Sequence, residues 1–282
     1  MTPTHLVLGA GYLAPYLYRA LPATARILAV RRHWRQRPDD ARVEALACDL
    51  TRDDDRARLR ARLAGFTGTV YFTLPPSALG DAAGRVLAPL AAGLAASGAA
   101  RVVVASSTGI WADSDDGVID ERTPVQLASA RTRRLAAIEA AWGDAGLPSV
   151  AVRLAGLWGA GRIIGRDTLR DGRPVAGAPA AWLNLVRAED AARALVAAGE
   201  LEDLPAVLVV SDGRPLRRGD YYAALAAALG VAAPVFDGGP QVRGGGGRRC
   251  DPGRSWQRLG CAPAFDDVAG ELAALLAAAD GA

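Results

Sequence analysis

At 282 residues, 51% of them hydrophobic, the chain can bury one large α/β core or two lobes, which argues against disorder. No apolar run approaches the roughly 20 residues that cross a bilayer, and a net charge of +3 without basic clusters interleaved with aromatics gives no nucleic-acid surface. The sequence contains no lysine, so its 33 basic side chains are all arginine and every mechanism that needs a lysine is excluded.

The chain opens on HLVLGAGYLAPYLY, His5 to Tyr18. Leu6, Val7 and Leu8 form a short apolar run with no alternation, as in a strand buried on both faces of a parallel sheet. Gly9-Ala10-Gly11 then turns the chain into a helix over Tyr12 to Ala20. Strand, glycine turn and helix together aim backbone N–H groups and a positive dipole end at a diphosphate. Gly9 permits the turn, Gly11 permits close approach of the ligand, and Ala14 takes the third small position. Tyr12 and Leu13 complete the expected cofactor loop.

Arg26 to Val30 is the second strand, running into Arg31 and Arg32. About 20 residues after the glycines, such a strand end meets the adenosine ribose. Arginines there pair with a 2′-phosphate where an acid would select NAD, so NADP is expected over NAD. Val43 to Ala47 is the third strand, followed by Asp49 and Leu50 at the adenine, and Thr51 caps a helix running through Leu63. Thr69 to Thr73 is the fourth strand, broken by Leu74 and Pro75, which are placed against the cofactor. Asp81 to Ser97 is helical, and Arg101 to Ala105 is the fifth strand. This alternation predicts a doubly wound parallel sheet, a Rossmann fold.

Residues just beyond the carboxyl ends of these strands face the ligand. Ser106, Ser107 and Thr108 stand there in SSTGIW, before an acidic loop containing Asp113. Leu127 to Trp142 is a helix, and Ser149 to Leu154 is the sixth strand. Leu201 to Val210 is a late strand, and helices follow at Asp220 to Leu229 and Asp267 to Ala278. Cys48, Cys250 and Cys261 lack metal-ligand spacing and read as reduced thiols, and no metal is expected. The N-terminus enters strand pattern without a basic leader, so a cytoplasmic location is expected.

GAGYLA, SSTGIW, VIDERTP, RLAGLWGAGR, WLNLVRAEDAARAL and VLVVSDGRPLRRGDYYAAL occur in the order of the motifs of the extended short-chain dehydrogenases/reductases. The chain resembles an atypical member of that NAD(P)-dependent epimerase/dehydratase superfamily. The resemblance implies a dinucleotide-binding domain over residues 1–158 and a smaller substrate lobe over residues 159–282, with residues 182–212 returning to the core. It also makes GGGG, Gly244 to Gly247, a substrate lid, and it implies a possible homodimer and a small-molecule substrate.

The family's Tyr-x-x-x-Lys is missing. The corresponding stretch, Ala128 to Glu139, holds no tyrosine or lysine. Ser129 or Ala130 stands where tyrosine is usual, and Arg133 or Arg134 stands in lysine's place to hold the nicotinamide ribose. Ser107 matches the family's catalytic serine and is expected to orient the reacting group with Thr108. Tyr71, Tyr12, Asp113 and Thr108 are candidates for a substitute acid near the crevice rim, with Tyr71 and Asp113 as substrate contacts. Asn184 is retained from the second-lobe motif, and Arg187 replaces its histidine. Arg187 either meets an anionic substrate group or pairs with nearby acids. The leading expectation is a reductase of a small polar metabolite, an imine or an activated alkene or carbonyl. The alternatives are a non-catalytic NAD(P)-binding sensor or subunit, and a nucleotide-sugar epimerase or dehydratase.

Overall fold

The computed structural model describes residues 2–112, 117–239, 247–265 and 267–280. Its first half alternates strand and helix: β1 (His5–Leu8), α1 (Ala14–Ala20), β2 (Ile27–Arg31), β3 (Val43–Ala47), α2 (Asp53–Arg62), β4 (Thr69–Phe72), α3 (Pro76–Leu79), α4 (Ala83–Ser97) and β5 (Arg101–Ser107). There follow β6 (Gly117–Ile119), α5 (Ala130–Gly143), β7 (Ser149–Leu154), β8 (Gly156–Trp158), α6 (Arg166–Arg170), β9 (Trp182–Leu183), β10 (Leu185–Arg187) and α7 (Ala188–Glu200). The chain closes with β11 (Val207–Val210), β12 (Leu216–Arg217), α8 (Arg218–Leu229), β13 (Arg248–Cys250), α9 (Gly253–Leu259) and α10 (Val268–Asp280).

Seven strands form one sheet in the order β11-β7-β5-β4-β1-β2-β3. The ladders joining β3, β2, β1, β4 and β5 are parallel. The winding reverses between β1 and β4, and such a switch point opens a crevice at the carboxyl ends of the strands. The unbroken apolar runs follow from burial on both faces: Leu6, Val7, Leu8, Val70 and Phe72 are all fully enclosed.

Two compact units divide the chain. The first comprises residues 1–107, 127–153 and 192–208, and the second comprises 108–126, 154–191 and 209–282. The segment that rejoins the first unit spans residues 192–208, and residues 108–126 fall in the second unit. The first unit's core joins Leu6, Leu28, Leu59, Phe72, Leu87 and Trp142. The second unit packs Trp158, Leu185, Tyr221, Leu225 and Leu272 together. Among the described residues, no helix is long and apolar enough to cross a membrane.

Several boundaries differ from the sequence reading for local reasons. Thr51 does not cap α2, because its hydroxyl and N–H both donate to Asp49 Oδ1, at 2.7 and 2.9 Å, and Arg52 becomes the cap residue. Ser129 caps α5 by accepting from Thr132 N at 3.2 Å, which moves that helix start from Leu127 to Ala130. The late strand begins at Val207 instead of Leu201.

Candidate functional site

The glycine turn sits at the switch point. Gly9 adopts φ +97°, and a Cβ there would lie 2.7 Å from both the backbone nitrogen and Cγ of Leu74. Only glycine fits this place, because side chains are disfavoured at positive φ and Leu74 fills the space. Gly9 and Ala10 N–H both donate to Val30 O at 3.0 and 2.9 Å. The Gly9 carbonyl accepts from Gly11 N at 2.6 Å and from Thr73 Oγ1 at 2.8 Å. Gly11 is exposed, and a Cβ on it would meet only Gly9 O, at 3.7 Å. The outer side of the turn is therefore open to a ligand backbone. Ala14 is buried at the start of α1, and Pro15 occupies its first turn, where a missing N–H costs little. The Tyr12 ring meets that of Tyr16 at a tilt, 5.5 Å between centroids, and Leu13 is buried under the turn. Pro75 is exposed beside Leu74.

Arg31 and Arg32 are exposed at the end of β2, with Arg31 5.9 Å from the Trp34 ring centroid. Asp49 is partly buried. The Thr51 hydroxyl and N–H hold its carboxyl below the usual range, and the charges of Arg32 and Arg52 add to this. Leu50 departs from its expected cofactor role. Its side chain lies in the core, and its carbonyl accepts from Arg56 at 2.7 Å.

At the end of β5 the two serines diverge, as neighbours on a strand must. The Ser106 hydroxyl turns inward and donates to Glu139, whose carboxylate is gripped by Arg153 through contacts of 3.1 and 2.8 Å. This buried trio ties β5, α5 and β7 together and commits Ser106 to structure instead of the cofactor. Ser107 is half-buried on the other side of the strand. Arg133 folds back onto the carbonyls of Leu127 and Ala128, and Arg134 pairs with Asp81 at 2.7 Å. Both expected ribose contacts therefore already have protein partners.

Tyr71 is not at the crevice. It is 2% exposed, its ring stacks on His5, and its hydroxyl reaches α7, where a Cβ on Gly199 would meet it at 2.7 Å. Burial pushes its pKa up, and the Glu200 charge adds to this, so it is a poor proton donor. Asp113 and Gly244 to Gly246 lie outside the described residues.

In the second unit, Thr108 hydrogen-bonds the buried Cys250 thiol, and burial pushes that thiol up to about 12. Asn184 is a clip. Its Oδ1 accepts from Cys250 N at 2.7 Å and its Nδ2 donates to Arg248 O at 3.0 Å, which fixes β13. Arg187 is 5% exposed, chelates Glu189 at 3.1 and 3.2 Å, and also binds Glu271. The rings of Phe265 and Trp158 lie 4.4 and 5.1 Å from its guanidinium carbon. Of the two readings of Arg187, the ion pair describes the structure. The sequence reading missed Trp182, over whose ring the exposed Arg217 and Arg249 stand at 3.6 and 5.3 Å from the centroid. Among the described residues, no group of acids, cysteines and histidines could hold a metal ion.

Solved structures share this fold. MoeE5, in complex with UDP-glucose and NAD, aligns over 98% of this chain and 99% of its own at 21% identity, with a TM-score of 0.81. The fold is that of the NAD-dependent epimerases and dehydratases. The Bordetella bronchiseptica enzyme WbmG, in complex with NAD, shares this fold at TM-score 0.81 and 19% identity, over 100% of this chain and 95% of its own. So does a UDP-N-acetylglucosamine 4-epimerase from Methanobrevibacter ruminantium, at TM-score 0.80 and 14% identity, over 100% and 99% of the two chains. No family model and no curated protein sequence matches the chain.

Proposed function

We propose that this chain is an NAD-binding enzyme of the epimerase/dehydratase type, acting on a nucleotide-linked sugar in place of the small metabolite that the sequence first suggests. The observation that carries the reading is the glycine turn: Gly9 is pressed against Leu74, and Gly11 leaves the outer face open. A dinucleotide diphosphate fits that cradle. Whole-length likeness to chains solved with NAD and UDP-sugars supports the same cofactor and substrate class.

In this reading Gly9 and Gly11 shape the turn that admits the diphosphate, Tyr12 and Leu13 complete the loop against it, and Asp49 Oδ2 is the acceptor offered to adenine. A nicotinamide cofactor held there would supply reversible hydride transfer at a sugar carbon. Ser107 orients the reacting hydroxyl. α5 carries neither phenol nor ammonium, so the proton passes through a group other than the usual dyad. In the second unit, Arg217 and Arg249 are already stacked on Trp182 and form a cationic pair suited to the substrate's diphosphate.

One observation favours a second reading. Arg31 and Arg32 are exposed, with no acid between them and Pro38, which suits a 2′-phosphate and an NADP-dependent reductase. Calorimetry with NAD and NADP, alongside NMR of UDP-glucose and UDP-glucuronic acid incubated with the chain, separates the two. Tight NAD and an altered sugar support the epimerase or dehydratase. NADP preference with no sugar conversion supports the reductase. NAD binding without conversion of any sugar leaves a binding protein.

A further inference from the structure

We infer that Thr73 is a positioning residue for the cofactor loop. This inference rests on the proposed dinucleotide-binding reading and extends it to a residue outside the loop. Thr73 follows β4 and is joined to β1 by its N–H, which donates to Leu8 O at 2.8 Å. Its hydroxyl reaches one residue further and donates to Gly9 O at 2.8 Å, with Leu8 O at 3.3 Å. The same Gly9 oxygen accepts from Gly11 N at 2.6 Å, closing a three-residue turn around Ala10.

This geometry matters because Gly9 lacks a side chain to restrain it. A glycine at φ +97° gains its freedom at an entropic cost, and nothing within the residue itself holds the peptide plane. The carbonyl anchor from the neighbouring strand fixes that plane. The two N–H groups nearest it, on Gly9 and Ala10, are spent on Val30 O. With both ends of the turn tied inward, the face beyond Gly11 is presented without a search among loop conformers, and preorganisation of that kind lowers the entropic cost of binding.

The test compares wild type with Thr73→Val, which keeps the shape and loses the hydroxyl, and Thr73→Ser, which restores it. A single neutral hydrogen bond corresponds to roughly a two- to ten-fold change in binding. The expected result is NAD affinity weaker by about that factor in the valine variant, together with faster amide exchange over residues 9–13 and unchanged exchange at β5 and β7. Serine restores both. Equal affinity and equal loop exchange in the valine variant overturn the inference while the cofactor reading stands. A valine variant with raised exchange throughout the sheet also overturns it, because that marks general destabilisation. Wild type that binds neither NAD nor NADP overturns the cofactor reading and the inference with it.

Discussion

Gly9 and Leu74 meet backbone to backbone at the switch point of the sheet, so closely that one added carbon on Gly9 would stand 2.7 Å from Leu74 N. The contact joins the ends of β1 and β4, the two strands between which the winding reverses. It makes the shape of the glycine turn a property of the sheet as well as of the loop.

Gly9→Ala is accordingly expected to fail twice. Positive φ for an alanine costs about 1–2 kcal/mol, and the displaced Leu74 backbone adds an overpacking cost of roughly 1–3 kcal/mol. Thermal melting will show a fall of several degrees, and NAD binding will be lost. Gly11→Ala, with ordinary φ and open space, will melt like wild type but bind NAD weakly.

The Ser106–Glu139–Arg153 trio predicts a stability defect without a cofactor defect. Glu139→Ala leaves the Arg153 guanidinium buried at 8% side-chain exposure without its carboxylate, which costs about 3–5 kcal/mol. The double variant Glu139→Leu with Arg153→Met removes both charges and is expected to recover most of that loss in thermal melts.

Asn184→Leu is expected to act through β13. It removes the acceptor for Cys250 N and the donor to Arg248 O. UDP-glucose binding will weaken as Arg249 loses its placement on Trp182. NAD binding will be unchanged. Arg249→Ala will reproduce the substrate defect with no loss of melting temperature.

Cysteine titration gives a pH dependence with a definite sign. Burial pushes the Cys48 thiol up to about 11 and Cys250 up to about 12. An unfolded cysteine ionises near pH 8.5. Between these values the folded chain holds protons that the unfolded chain has released, so stability is intact below about pH 8.5 and falls as pH rises through 11 to 12. Denaturant titrations will show the loss, and Cys48→Ala with Cys250→Ala will flatten the slope between about pH 8.5 and 10, below the range in which the buried tyrosines add a slope of the same sign. At pH 8 a thiol reagent will modify the half-exposed Cys261 first.

Much of the fold was legible because its signals are local. Uninterrupted apolar runs at Leu6 to Leu8 and Val102 to Val104 mark doubly covered strands, and Gly9 with Gly11 marks the turn. At the candidate site the glycine spacing made the shape of the turn legible, whereas side-chain contacts were not. Tyr71 was misplaced because its alternation on β4 does not say which face lies against α7, and its partner Gly199 comes much later in the chain. Arg187 has one neighbouring acid, Glu189, but its second, Glu271, is on α10. Asn184 carries a motif position, yet its amide serves β13, and Trp182, Arg217 and Arg249 become neighbours only through tertiary pairing. Leu50 and Ser106 were read from their places after strands, which do not reveal that their side chains turn into the core and to Glu139.

A crystal structure of the chain grown with NAD tests the central claim most directly. The account predicts the diphosphate against residues 9–13, with Gly9 still pressed on Leu74. Nucleotide bound elsewhere, or a turn without nucleotide at saturating concentration, would contradict it.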